Sequence, residues 1–362
     1  MNFPDHAILP APGSVALVAA LDWGLGHATR STAIVRALLA RGCTVHLASD
    51  GAALAFWRRE FPDLVHHELP AWKIRYAPGP LLIPGLLAQL PRIARAIAQE
   101  HAVVKALVRD HEIAWILSDN RYGVHHRRIP SLLMTHQLRL ALPGVGLLEP
   151  LGEWLLSRLC LPYDQVWVPD HAQAPGLSGK LGHPGRVRSF PPLVHLGPLT
   201  RLEPCHCPVR WQSISLVSGP EPARTRLEEI LLRELPRQPG RHLLLRGRPD
   251  LPAIRKETVD NLTVVPHLDS HALAREVCAS EVVISRGGYS TLMDLEALGS
   301  RALIVPTPGQ SEQEYLGHVL HAAGRAHCVP QSRLDLARDL PLARVTKPIS
   351  GAESPLSPRS TP

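Results

Sequence analysis

The chain has 362 residues, 45% hydrophobic and 20% charged, with a net charge of +7 and 36 prolines. At this length and composition it should fold as about two globular domains, which excludes wholesale disorder, and no apolar run approaches the roughly 18 residues of a membrane-spanning helix. The positive charge favours an anionic partner such as phosphate, but no lysine-rich block or aromatic-interleaved basic stretch points to nucleic acid.

Met1–Gly13 lacks a basic leader and contains Asp5, so it does not read as a secretory signal. Ser14–Leu21 is a short Val- and Leu-rich strand. It is followed by the turn Trp23-Gly24-Leu25-Gly26-His27 and a helix over Ala28–Leu39. Strands follow at Thr44–Ser49 and Leu64–Leu69, and then a proline- and aromatic-rich loop over 70–84. Leu86–Val108 has helical spacing with Arg92, Arg95, Lys105 and Arg109 between its apolar positions. This is an apolar core face with a basic solvated face, or else a face for an acidic membrane. Ile113–Ser118 is a strand ending in Asp119-Asn120, and Ser131–Thr135 one ending in His136-Gln137. Val145–Cys160 reads as a helix and Gln165–Pro169 as a strand.

The proline-rich stretch Pro191–Pro208 breaks every periodicity and places a linker at about 195–212. A second series begins with the strand Ser213–Val217, the loop 218–222 and a helix over Ala223–Leu235. Strands at 242–246, 262–266, 281–285 and 302–305 and helices near 270–279, 290–298 and 312–323 complete it. Strand–loop–helix order in both halves predicts an α/β protein of two parallel sheets facing a central cleft, with ligands at the carboxyl ends of the strands. The domains are expected at 1–197 and 198–345, with a disordered tail at 346–362 that is rich in proline, serine and threonine.

Cys43, Cys160 and Cys278 lie in apolar segments and read as buried thiols. Cys205-His206-Cys207 has no partner cluster at ligand spacing, so no metal site is assigned. This cysteine usage fits a reducing cytoplasm.

The strongest chemical signal is Ser285-Arg286-Gly287-Gly288-Tyr289-Ser290-Thr291, between a strand and a helix. Two glycines permit close backbone approach, Ser290 can cap, and a helix N-terminus with Arg286 nearby suits a pyrophosphate. The same pattern also fits a plain tight turn. Asp294, about one turn into that helix, can accept from two sugar hydroxyls or serve the helix dipole. Ser218-Gly219 occupies the matching place after the first strand of the second half. Gly24-Leu25-Gly26-His27 places a histidine at a helix start facing the cleft, where the N-terminus favours the neutral, proton-accepting ring of a general base.

Residues 282–320, VVISRGGYSTLMDLEALGSRALIVPTPGQSEQEYLGHVL, resemble the C-terminal domain of glycosyltransferase family 28. LVSGPEPARTRLEEILL and VVPHLDSHALAREVCASEVVISRGG extend the similarity, and DWGLGHATRS resembles the family's N-terminal glycine loop. This resemblance implies the GT-B fold: two Rossmann-like domains, the second holding a UDP-activated sugar. It puts Leu268, beside His267, at the nucleobase. Asp294 stands in place of a ribose-binding glutamate, and Gln313 and Glu314 in place of a Gln-Gln pair that reads the sugar. Arg286, Gly287, Gly288, Ser290 and Thr291 fall on the phosphate loop, with Ser218 and Gly219 beside it. His27 falls on the loop histidine, and His136-Gln137 near an acceptor-side Glu-Gln pair.

The implied site has His27 and His136 as candidate bases. Gly24, Gly26, Asp119, Asn120 and Gln137 lie on the acceptor side. The implied reaction is metal-independent, inverting transfer of a sugar from UDP to an acceptor hydroxyl. No cofactor is expected beyond the donor. The acceptor classes are a lipid-linked group or a cell-envelope glycan precursor, which would place a bacterial protein in the cytoplasm or peripherally at the inner membrane face. The alternatives are a nucleotide-sugar hydrolase, whose N-terminal loop also reads Gly-x-Gly-His, and a non-catalytic nucleotide-sugar-binding protein.

Overall fold

The computed structural model describes residues 3–72, 82–139, 149–187, 189–248 and 257–349. The first half is a seven-stranded, wholly parallel sheet in the order β3-β2-β1-β4-β5-β6-β7. Its strands are β1 (Val15–Ala20), β2 (Thr44–Ser49), β3 (Val65–Glu68), β4 (Ile113–Asp119), β5 (Ser131–Met134), β6 (Gln165–Val168) and β7 (Leu193–His195). Helices α1 (Gly26–Ala40), α2 (Gly51–Glu60), α3 (Leu82–Asp110) and α4 (Glu149–Cys160) connect them.

β1 shows why this sheet needs helices on both faces. Ala16, Val18 and Ala20 join one apolar cluster, with Ile34, Val35 and Leu38 of α1 and Trp57 of α2. Leu17 and Ala19 join another, with Val104 of α3. A strand buried on both sides reads as a continuous apolar run, which is how it stands in the sequence. The described part of α3 turns Val104 inward, while Arg92, Arg95, Lys105 and Arg109 are exposed. There its apolar face is core and its basic face is solvated.

Residues 196–210 lead to the second sheet, in the order β10-β11-β9-β8-β12-β13-β14. It comprises β8 (Trp211–Leu216), β9 (His242–Leu245), β10 (Glu257–Val259), β11 (Leu262–Val265), β12 (Ser280–Ser285), β13 (Ala302–Ile304) and β14 (His327–Cys328). Only β10, at the edge, is antiparallel. Helices α5 (Ala223–Glu234) and α9 (Leu336–Arg344) cover one face through Leu227, Leu231, Leu336 and Leu340. Helices α6 (Ser270–Cys278), α7 (Tyr289–Ala297) and α8 (Ser311–Ala322) cover the other. The apolar cluster on that side continues into the first half through Leu199, Tyr289, Met293, Leu177 and Leu181.

Two expectations change. The start of the expected tail is packed, not disordered: Ile349 is buried, its N–H donates to the Ser300 carbonyl, and Lys347 N–H donates to Gly324. Residues 350–362, 73–81 of the expected loop and 145–148 of the expected helix lie outside the described residues. Residues 82–84, also expected as loop, belong to α3.

In both sheets neighbouring connections leave in opposite directions at one pair of strands, β1/β4 in the first and β8/β12 in the second. Such switch points open a crevice beyond the carboxyl ends of the strands. Asp119 ends β4 and α1 begins just after β1. Ser285 ends β12, and Ser218 follows β8.

Candidate active site between the two sheets

Gly24 has a φ of 76° and turns the chain from β1 into α1. His27, the second residue of that helix, then lies over the end of β4, with Nδ1 2.8 Å from Asp119 Oδ1. Asp119 is fully buried and also receives Arg30 Nε at 2.7 Å, Arg30 Nη2, and Ser31 Oγ at 3.0 Å. Burial works against its charge. The Arg30 guanidinium and His27 outweigh it and hold the carboxyl well below the usual carboxylate range. An ionised carboxylate only accepts, whereas Arg30 Nη2, 3.0 Å from the same nitrogen, only donates; the carboxylate is the nearer partner, so Nδ1 carries the proton to Asp119 and Arg30 Nη2 turns its donors to the same carboxylate. Asp119 thus fixes the tautomer of His27 and leaves Nε2 as the proton-accepting nitrogen. The sequence pattern points only to the helix N-terminus beside this ring; the carboxylate that holds Nδ1 comes from the end of β4.

His136 follows β5 and is placed differently. Arg30 Nη1 lies 3.0 Å from its Nδ1, and its Nε2 lies 2.8 Å from Glu312 Oε1. Arginine donates only, so Nδ1 accepts and Nε2 carries the proton to Glu312. Both ring nitrogens are engaged. Burial keeps the ring neutral, with Arg30 and His27 acting in the same direction and Glu312 opposing. Tyr289 stacks on it at 4.1 Å with the rings 1° from parallel, and its own hydroxyl donates to Pro169 O at 2.8 Å. Gln137 Nε2 donates to the other oxygen of Glu312. Asn120 has a φ of 59°, donates its N–H to Met134, and keeps a buried amide oxygen without a partner.

The loop after β12 presents the start of α7 to this group. A Cβ on Gly287 would stand 3.0 Å from the Gln313 carbonyl, so glycine lets the loop pass close to α8. Gly288 is the N-cap residue of α7 and faces open space: a Cβ there would come no nearer than 3.9 Å to Thr291 Oγ1. Ser290, expected to cap this helix, donates instead to the Gly26 carbonyl at 2.9 Å, joining the starts of α7 and α1 across the cleft. A Cβ on Gly26 would meet Ser290 Oγ at 2.8 Å.

Arg286 also differs from expectation. It is buried, and it donates to Val305 O at 3.0 Å, Pro306 O at 3.1 Å, Ala223 O at 2.7 Å and Ser218 O at 3.4 Å. Burial lowers its pKa to about 10. Its donors bind the loops of the sheet edge together, so its charge lies beneath the loop, directed to backbone carbonyls. Gly219, with a φ of 103°, carries the neighbouring turn.

Asp294 accepts from Thr200 Oγ1 of the connecting segment at 2.5 Å. Burial raises its carboxyl to about 6, against the opposing effects of Thr200 and Arg201. Leu268 packs against the core just before α6, and the Nδ1 of neighbouring His267 is buried without a partner. Gln313 Oε1 accepts from Thr307 N at 2.9 Å, and Glu314 is exposed and accepts from Gly309 N at 3.1 Å. The carboxylate of α8 that enters the cleft is Glu312. Arg30, Tyr289, Thr200 and Glu312 are therefore the site residues that the sequence patterns do not single out. Arg30 and Glu312 carry one available signal, a charged residue in the first turns of a helix opening onto the cleft.

Cys205 and Cys207 Sγ lie 3.6 Å apart, and Cys205, close to Cys278 as well, is pushed up to about 12 by burial and its thiol neighbours. Among the described residues no group of three or more His, Cys, Asp or Glu is arranged to hold a metal ion.

Residues 242–345 match the glycosyltransferase family 28 C-terminal domain. The match covers the second sheet from β9 onward with α6 to α9, and β8 and α5 lie before it. A Caldanaerobacter subterraneus UDP-N-acetylglucosamine–N-acetylmuramyl-(pentapeptide) pyrophosphoryl-undecaprenol N-acetylglucosamine transferase is 30% identical over 90 residues, 24% of each chain. The chain spans about a quarter or less of the length of the curated relatives it matches. The likeness in fold covers far more. Acinetobacter baumannii MurG superposes with a TM-score of 0.55 at 16% identity, covering 92% of this chain and 89% of that one. The kitacinnamycin glycotransferase gives 0.61 at 16% identity over 92% and 91%. The fold is GT-B, as the two facing parallel sheets imply.

Proposed function

We propose that this chain is a glycosyltransferase that moves a sugar from a UDP-activated donor to an acceptor hydroxyl. The observation that carries the reading is the His27–Asp119 pair, with no partner for Nε2 among the described residues, beside the start of α7. His27 takes the acceptor proton through Nε2, and the resulting imidazolium is stabilised by Asp119. The oxygen attacks the anomeric carbon in one inverting displacement and UDP leaves. Its diphosphate charge is met by the N–H groups at the start of α7, which no side chain among the described residues caps, and by buried Arg286 below. The residues named here accomplish this without a metal. The family 28 match over the second half and the donor named for the Caldanaerobacter relative support the UDP-sugar assignment.

That relative's acceptor is a pyrophosphoryl-undecaprenol. A lipid-linked acceptor fits an unusual feature of α4. It buries Gly152, Glu153, Ser157 and Cys160 and turns Leu151, Trp154, Leu155 and Leu159 outward, with Arg158 among them. Apolar side chains with interfacial Trp and Arg suit contact with lipid at the cytoplasmic face. No helix among the described residues is long and apolar enough to cross the membrane.

Incubation with a panel of UDP-sugars, with UDP release and sugar products measured, tests the reading. Glycoside formation supports it. Free sugar alone would make the chain a hydrolase, and no turnover with any donor would leave a binding protein.

Asp294 gives the donor site a pH dependence. Its folded pKa, about 6, lies above the ordinary 3.8, so the native state gains a proton between these values. Asp294 therefore costs stability progressively as pH rises from about 4 to 6, and no further above. Ribose hydroxyls, in contrast, donate best to the ionised form. UDP affinity should rise between pH 5 and 7, by at most about tenfold per unit, and Asp294→Asn should flatten that rise while increasing stability at pH 7. Calorimetric titration at several pH values reads both. Equal pH profiles for the two proteins would remove Asp294 from the ribose site.

A further inference from the structure

His27, Asp119, Arg30, His136 and Glu312 form an unbroken chain of polar contacts from the first sheet to α8 of the second. The steps are 2.8 Å from His27 Nδ1 to Asp119, 2.7 Å from Asp119 to Arg30 Nε, 3.0 Å from Arg30 Nη1 to His136 Nδ1 and 2.8 Å from His136 Nε2 to Glu312. We propose that Glu312 is a positioning residue that makes the base function of His27 depend on closure of the two halves. The inference rests on the transferase reading above.

His27 Nδ1 lies between Asp119 and Arg30 Nη2 and donates to the nearer carboxylate, while His136 Nδ1, facing Arg30 Nη1, accepts. Arg30 requires a bare Nδ1 on His136, so the His136 proton lies on Nε2, and Glu312 is its acceptor. Tyr289 of α7 holds the ring plane and Gln137 holds the second carboxylate oxygen. Without Glu312, the Nε2 proton loses its partner and the ring is free to turn or change tautomer. Arg30 Nη1 then loses its acceptor. The guanidinium is a rigid planar fork, so movement of Nη1 toward a new partner draws Nε and Nη2 off Asp119. Asp119 in turn no longer fixes Nδ1 of His27.

Glu312 belongs to the domain that carries the family 28 match, while the base belongs to the other. Separation of the halves removes Glu312 from His136 and disarms His27, so water entering an open cleft meets no prepared base. Transfer is favoured over hydrolysis as a result. Protonation of His136 has the same effect, because both ring nitrogens then donate and one of them faces Arg30. Among the described residues, Arg30, His27, Tyr289 and Glu312 are the ionisable groups that act on or stack against this ring.

The test uses the full chain with Glu312→Ala, Glu312→Gln and, as a remote charge control on α5, Glu234→Gln. The low-field proton resonance of His27 Nδ1, assigned by its loss in His27→Ala, reports the dyad without any need for turnover. Glu312→Ala should broaden or shift that resonance although the two residues do not touch. It should also lower kcat about 10–100-fold with donor KM changed about twofold or less. Glu312→Gln keeps one oxygen for the His136 proton and should restore much of both. Glu234→Gln should change neither. An unmoved resonance in Glu312→Ala, or a loss confined to KM, would overturn the proposal and leave Glu312 a latch alone. If wild-type protein turns over no UDP-sugar, the transferase reading falls, while the resonance still decides whether Glu312 sets His27.

Discussion

Asp119→Asn should remove most of the activity and a substantial part of the stability together. The carboxylate receives His27, Arg30 through two nitrogens, and Ser31, all buried or nearly so. An amide has one accepting oxygen, and its nitrogen would confront donors. Breaking a buried ion pair in this way costs about 3–5 kcal/mol, because Arg30 is left without its counter-charge. A buried acid that sets a histidine tautomer is worth about 10⁴-fold in kcat in the serine-protease case, and a similar loss is expected here. The sign of the pH dependence follows from a depressed pKa. The stabilisation is complete above the ordinary carboxylate range and is lost only as pH falls through the much lower folded value. The stability difference between the two proteins, from urea unfolding, should therefore be flat from pH 5 to 8. A variant with wild-type turnover would show that His27 needs no orienting acid.

His27→Ala should leave the fold and UDP binding nearly intact and lower kcat about 10²–10⁴-fold. The side chain is 13% exposed and its contacts run to Asp119 and Arg30, not to the loops that face the nucleotide. The loss should be similar for every usable donor, since the group acts on the acceptor. UDP calorimetry alongside steady-state kinetics separates the two effects. A variant with full turnover would sink the assignment. His136 would not simply take over, because both of its nitrogens are already bonded.

The regular strands and most helices are legible in the sequence because each sheet is buried on both faces and its strands stand as short apolar runs between turns. β2 runs over the expected residues, and β1, β4 and β12 lie within a residue or two of expectation. The elements that escape such a reading are held by distant partners. The first turn of α2 is capped from afar by Asp22, which accepts from Ala53 N at 3.0 Å and Ala52 N at 3.3 Å. β7 and β14 have three and two residues and exist because a neighbouring strand pairs with them. β10 and α9 escape as well. Within the site, glycine loops and the histidine at a helix start announce themselves by local pattern. The ties of Arg30, Glu312 and Thr200 depend on which distant residues meet, with separations of 89, 176 and 94 positions. No local pattern carries that information. Arg286 shows the reverse error: its place in the motif is as expected, but burial directs its charge to carbonyl groups.

The apolar cluster that passes through Leu199, Tyr289 and Met293 joins the two halves where the cleft is closed. Side chains of both halves share that interior. A second half cut away at the connecting segment would present Tyr289 and Met293, both buried in the whole chain, to water. Its family signature spans residues 242–345, yet its solvent boundary is completed by residues of the other half. The stretch that carries the family match is therefore smaller than the body its side chains pack into.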